Sequence, residues 1–168
     1  MDGSWYSVVD NDEIQQGDFF FNLDIPVVED TKEVPPLVDM QLFDAIVMTQ
    51  SCDIQKMNHL ILCPVWKMND VAKENPDMAS KGGMNNLRRE RYVAFHLLDK
   101  CQLSGFESDY KVVGFERIFE RPKTVIQELS AQQNSRLRLM SPYREHLAQA
   151  FARFFMRVGL PNDIPEFK

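Results

Sequence analysis

Apolar positions in this chain fall in short runs set apart by turn-forming residues, a pattern that predicts strands over much of the first two thirds. Phe19-Phe20-Phe21-Asn22-Leu23 follows Gly17-Asp18 and is closed by Asp24-Ile25-Pro26. Residues 45–48 form a second run and residues 59–65 a third, with Pro64 expected to end the ladder because proline lacks a backbone donor. Residues 92–98 and 110–115 return to strand character on either side of a turn at Ser104-Gly105. Trp5, Tyr6, Val8 and Val9 suit a short strand in an otherwise peripheral stretch over residues 1–16. Residues 29–41 are acidic and contain Pro35-Pro36, which predicts a loop.

Helical spacing appears later. Short helical pieces flank Gly82-Gly83, and residues 124–131 predict a helix after Pro122. The strongest helix follows Ser141 as cap and Pro142 as first helical residue, with Leu147, Ala148, Phe151, Phe154, Phe155 and Val158 on one face. Gly159 and Pro161 are expected to stop it, and Arg153 and Arg157 suit its C-terminal dipole. There is no internal repeat and no strict alternation of strands with long helices. The expected fold is a single domain over residues 1–168, mainly β with added helices: a small, curved antiparallel sheet or barrel with helices covering one end.

Composition narrows the class. A chain of 168 residues with 44% hydrophobic content can bury a sizeable core, and no apolar run approaches the ~20 residues of a membrane span. The N-terminus lacks the basic-then-apolar order of a secretory signal. Cys52, Cys63 and Cys101 include no CxxC pair. These features predict a cytoplasmic protein with reduced thiols and no membrane partner. Charge is uneven: residues 1–62 carry twelve acidic and two basic side chains, whereas residues 63–168 carry thirteen acidic and seventeen basic. Such asymmetry can orient a partner or a second subunit, and the overall net charge of −6 opposes general nucleic-acid binding.

The densest candidate chemistry is the polar cluster Thr49, Gln50, Ser51, Cys52 and Asp53, placed where an apolar strand ends. It is expected to contact a ligand or partner, with a self-satisfied turn as the competing explanation. Cys52, Asp53, His59 and Cys63 are metal-ligand types. On an ordinary strand, however, His59 and Cys63 lie about 13 Å apart, too far for one tetrahedral ion. No metal and no cofactor are expected. Cys52 as a nucleophile requires an oriented base, for which His59, His96 and His146 are available in sequence. Arg88, Arg89 and Arg91, followed by Arg136, Arg138 and Arg144, form candidate anion-binding positions, for RNA phosphates or for the acidic part of a protein partner.

The order Gly17-Asp18-Phe-Phe-Phe, then residues 43–49 (FDAIVMT), then residues 60–65 (LILCPV), then residues 110–117 (YKVVGFER) resembles the PemK/MazF-like toxin family. The resemblance covers residues 14–131 and implies an SH3-like barrel core there, with residues 132–168 as a C-terminal helical extension. It also implies dimeric endoribonucleases acting on single-stranded RNA through an Arg before the strand at 45–48 and a hydroxyl after the Pro-containing strand. This chain has Asp44 and Trp66 in those surroundings, and neither supplies the same chemistry. The expected function is therefore a non-catalytic intracellular binding or interaction module, in the toxin–antitoxin or defence-like setting that the resemblance implies. A protein partner is expected, and homodimer formation and RNA binding stay open. The alternative is a divergent, metal-independent endoribonuclease.

Overall fold

A computed structural model describes residues 4–28, 34–133 and 135–156. Its framework starts at Gly17-Asp18. Gly17 has φ 88°, and a Cβ there would sit 3.2 Å from both Cβ and the carbonyl oxygen of Leu139. Only glycine lets the chain turn this tightly against that neighbour. Strands β1 (Tyr6–Val9), β2 (Phe19–Val28), β3 (Val38–Val47) and β4 (His59–Lys67) are followed by β5 (Phe95–Leu98), β6 (Lys111–Gly114), β7 (Phe119–Pro122) and β8 (Arg136–Leu139). Helices are α1 (Ser51–Ile54), α2 (Met68–Glu74), α3 (Pro76–Ala79), α4 (Lys81–Arg88), α5 (Lys123–Gln132) and α6 (Tyr143–Phe155).

Six strands make one antiparallel sheet in the order β2-β3-β4-β6-β5, with β7 beside the first half of β4; β1 and β8 form a separate ladder. Mainly β with added helices describes the fold only coarsely, because helix and strand are nearly balanced. The expected barrel does not close. At one end of the sheet, Asp18 at the head of β2 bridges to Arg138 of β8, while β5 lies against α4. Residues 4–16 are less peripheral than their polarity suggests, since Tyr6 and Ile14 are buried and β1 pairs with β8.

Both faces of the sheet are covered near its centre. Phe19, Ile46, Cys63, Val65 and Val113 pack with Tyr6, Leu137, Leu139 and Leu147 on one side. Phe20, Ala45, Val47, Leu60 and Leu62 pack with Ile54 and Ile126 on the other. Continuous apolar runs in these strands follow from that double burial.

Several boundaries differ from the sequence reading: Gly82-Gly83 lies inside α4 instead of between two helical pieces, β2 runs through Pro26 to Val28, and β5 starts at Phe95, not at residue 92. Pro64 does not end β4, which continues to Lys67. Met48 N and Thr49 N both donate to Ile61 O, which sets the direction of the backbone groups along β4. Pro64 then faces the opposite side, in the gap where β7 gives way to β6, so its missing N–H costs no ladder bond. Residues 38–41, expected in a loop, belong to β3, because Pro35-Pro36 sits beyond the strand instead of inside it. Helix α6 starts at Tyr143, not at Pro142, since Met140 N still donates to Trp5 O at the end of the ladder. Phe151 and Phe154 pack on Phe115, while Phe155 is mostly exposed. Arg157, Val158, Gly159 and Pro161 lie outside the described residues.

The polar knot under this fold is Asp18 with Arg136 and Arg138. Arg138 donates from Nε to Asp18 Oδ1 and from Nη2 to Oδ2 at 2.9 Å. Arg136 Nη2 lies 3.5 Å from Oδ2, and Gln15 N donates to the same oxygen at 3.0 Å. Both guanidinium groups also donate to Glu13 O. All three charged residues are buried. Removing one partner from such a group leaves uncompensated buried charge. Asp18→Ala is expected to lower unfolding free energy by about 3–5 kcal/mol, read from urea midpoints. A loss under about 1 kcal/mol, the scale of an exposed ion pair, would show that the knot is not structural.

Candidate functional site

The clearest unsatisfied surface lies on the outer half of the β2–β3 hairpin. Directly opposed residues share a face, and the register pairs Asp24 with Leu42, Pro26 with Met40 and Val28 with Val38. Every one of these six is exposed. Val28, Val38, Met40 and Leu42 are 62%, 58%, 55% and 63% exposed, forming one apolar strip instead of scattered side chains. The opposite face carries Leu23 and Ile25, both buried in the core with Ile54 and Ile126. The inner end of the ribbon is thus held from behind and open in front, while farther out Asp39 and Gln41 are exposed on the back as well.

Its backbone edge is less available. Pro26 has no amide donor, and the Arg121 guanidinium bonds the Asp24 carbonyl. Both features blunt pairing with an added strand. Among the described residues of this segment, Asp24 lies on the strip's own face, Asp39 on the opposite face and Asp44 at the strip's root.

At the root of the ribbon, a cleft of about 300 Å³ is lined by Phe21, Asn22, Asp44, Lys67, Phe106 and Lys111, among others. A bulge interrupts the register between Phe20 and Leu23, and Asn22 takes φ 54° there. Asp44 Oδ1 accepts from Asn22 N at 3.0 Å and secures the bulge. Lys67 pairs with Glu107 at 2.5 Å. Lys111 is nearly fully buried and donates to the carbonyls of Glu107 and Asp109. Burial lowers its pKa despite the acidic groups nearby.

The cluster at 49–53 is arranged differently from a convergent site. Buried Thr49 uses Oγ1 to accept from Ile61 N at 2.7 Å, and Ser51 Oγ accepts from Gln16 N at 3.1 Å. Gln50 accepts the backbone bond that starts α1, and Asp53 meets Lys56 at 3.4 Å. Cys52 is exposed, with only a 3.9 Å approach to Gln50 Oε1. None of the five lines the clefts described here.

The arginines do not form one basic surface. Arg136 and Arg138, candidate anion-binding positions in sequence, lie on β8, where all four residues are buried and both guanidinium groups are occupied internally. Arg144 pairs with Glu145 at 2.8 Å, and Arg91 donates to Asn86 at 3.3 Å. Arg89 is exposed, and Arg88 lines a second cleft of about 340 Å³ with Trp5, Leu87, Glu90, His96 and His146.

In that second cleft, His96 is buried and its Nδ1 has no hydrogen-bond partner. Burial depresses its pKa to about 4; Glu90 opposes the shift, while His146 and Arg153 reinforce it. The ring is therefore neutral near pH 7. Cys63 lies buried in β4, and burial pushes its thiol up to about 12. Among the described residues, no group of three or more His, Cys, Asp or Glu side chains is placed to hold a metal. No described helix is long and apolar enough to cross a membrane. Trp66 lies over Gly114, where a Cβ would come within 2.2 Å of its ring. Comparison with protein-family models and with curated proteins finds no match for this chain.

The exposed strip was missed because Pro35-Pro36 drew residues 38–41 into a loop. The alternation of Val38, Met40 and Leu42 with Asp39 and Gln41 was the available strand signal.

The pH response of His96 is a direct check on its burial. Its folded pKa lies below the ordinary 6.5, so the unfolded chain binds more protons between those values. The contribution to stability is complete above pH 6.5 and falls by about 3 kcal/mol on acidification to pH 4. Urea melts of the protein and His96→Leu across this range should differ in slope by that amount; parallel profiles would contradict it.

Proposed function

We propose that this chain is a non-catalytic protein-interaction module whose β2–β3 ribbon holds a partner segment rich in apolar and basic residues. The single observation that carries this reading is the continuous exposed strip of Pro26, Val28, Val38, Met40 and Leu42. An apolar surface of this kind gains free energy when another protein removes it from water. Asp24 on the strip's face and Asp44 at its root favour a basic partner and disfavour the phosphate backbone of RNA.

The same charge argues against pairing two copies through this face, because an isologous contact would bring like-charged ribbons together. Blunting at Pro26 and Asp24 favours docking on the face over addition of a strand. In finer terms, the proposal places an open SH3-like sheet of PemK/MazF type in an intracellular toxin–antitoxin or defence-like setting, without the nuclease chemistry. Asp44 and Trp66, where the family resemblance calls for Arg and a hydroxyl, support that loss. The ribonuclease alternative gains no support from the cluster at 49–53, which shares no described cleft with Arg88, Arg91 or Arg136.

Selection of random displayed peptides against the purified protein is expected to enrich sequences combining apolar with Lys or Arg residues. Met40→Asp and Leu42→Asp should each weaken the selected peptides about tenfold or more. Their melting temperatures should stay close to the parent value, because both positions are exposed. Peptides that bind these variants unchanged would remove the ribbon from the proposed function.

A further inference from the structure

The strand order β2-β3-β4-β6-β5 puts β5 at the edge of the sheet opposite the ribbon, and the cleft of about 340 Å³ lies there beside α4. That volume is in the range of small-molecule sites. Leu87, Leu97 and Trp5 give it apolar walls. Three polar groups in its lining are left unsatisfied among the described residues. Arg88 makes no ion pair and no hydrogen bond. Asp99 accepts from Lys100 N through Oδ1 at 2.8 Å, and its other carboxylate oxygen accepts nothing. Lys100 turns its ammonium to the Tyr110 ring, 4.9 Å from the centroid, instead of to Asp99. His96 is 7% exposed, and its Nδ1 is enclosed without a partner. An orphaned buried N–H is disfavoured more than an orphaned lone pair, so the neutral ring carries its proton on Nε2 and offers a donor to the cleft. Glu90, by contrast, is matched by Arg153 at 2.5 Å.

We infer that this cleft binds a free α-amino acid with an apolar side chain, its carboxylate held by Arg88 and His96 and its ammonium by Asp99. The lining presents a cation and an anion that are not paired with each other, and a zwitterion answers both at once. A simple anion would meet Asp99 as a like charge, and a simple cation would meet Arg88 in the same way. Guanidinium gives a carboxylate a two-donor fork, to which the imidazole N–H adds a third donor. Leu87, Leu97 and Trp5 take the ligand's side chain out of water, which separates leucine or phenylalanine from glycine. The site shares no residue with the ribbon and stands or falls apart from it.

Titration of L-leucine and of L-phenylalanine into isotopically labelled protein tests the site. Shifts are expected at the Leu87, Leu97 and Asp99 amides and at the His96 ring, with the ribbon unmoved. Glycine, the N-acetyl forms and the carboxamide forms should each bind about tenfold or more weakly. Arg88→Gln should weaken the free amino acids and leave the carboxamides unchanged, since these have no carboxylate to lose. Asp99→Asn keeps an oxygen for Lys100 N, and should weaken the free amino acids while leaving the N-acetyl forms unchanged. That crossed pattern is not produced by a merely structural role for either residue. No shifts at the cleft with either amino acid at millimolar concentration, capped forms or glycine binding as tightly, or both variants weakening all ligands alike would each overturn the inference.

Discussion

A carboxylate buried between two arginines holds the β1–β8 ladder to the head of β2 in the main sheet. Asp18 is separated by 120 residues from Arg138, yet both are buried where the two meet. Desolvating three charges carries a large cost, which is offset only when the geometry satisfies their donors and acceptors together. Here the carboxylate receives Arg138 through two donors, accepts the Gln15 amide, and shares the neighbourhood with Arg136. The Glu13 carbonyl accepts from both guanidinium groups. Without this knot, β8 has no means of keeping two cations inside, and the β1–β8 ladder loses its attachment to the head of β2.

The placement of the open ribbon follows from that attachment. β8 occupies the space beside the first residues of β2, so that half of the strand is covered by the ladder and α6. Beyond the bulge at Asn22 the cover stops, and Asp44 locks the bulge from the neighbouring strand. One face of the hairpin then turns to the core through Leu23 and Ile25, while the other remains open. Support behind its inner end and exposure in front preorganise that part of the surface, which lowers the ordering cost of binding.

Local pattern revealed the elements with a strong local cause. Residues 43–65 read as neighbouring strands because two apolar runs flank a short polar connection, and β3 and β4 do pair there. The final helix was legible from its spaced apolar residues. The Arg136-Leu137-Arg138-Leu139 alternation misled because its acidic partner lies far away in sequence; polarity was read as exposure. Thr49 and Ser51 likewise looked available, but their acceptors serve Ile61 and Gln16, a tertiary bond that adjacent residues do not disclose. Pro64 shows the same limit, since its tolerance depends on a gap between two partner strands.

The account turns on which surface a partner covers, and methyl NMR of the protein bound to a selected basic–apolar peptide tests it most directly. The account predicts shifts concentrated at Val28, Val38, Met40 and Leu42, with little change at Leu97 beside the His96 cleft. Shifts concentrated at Leu87 and Leu97, with the ribbon methyls unmoved, would contradict it.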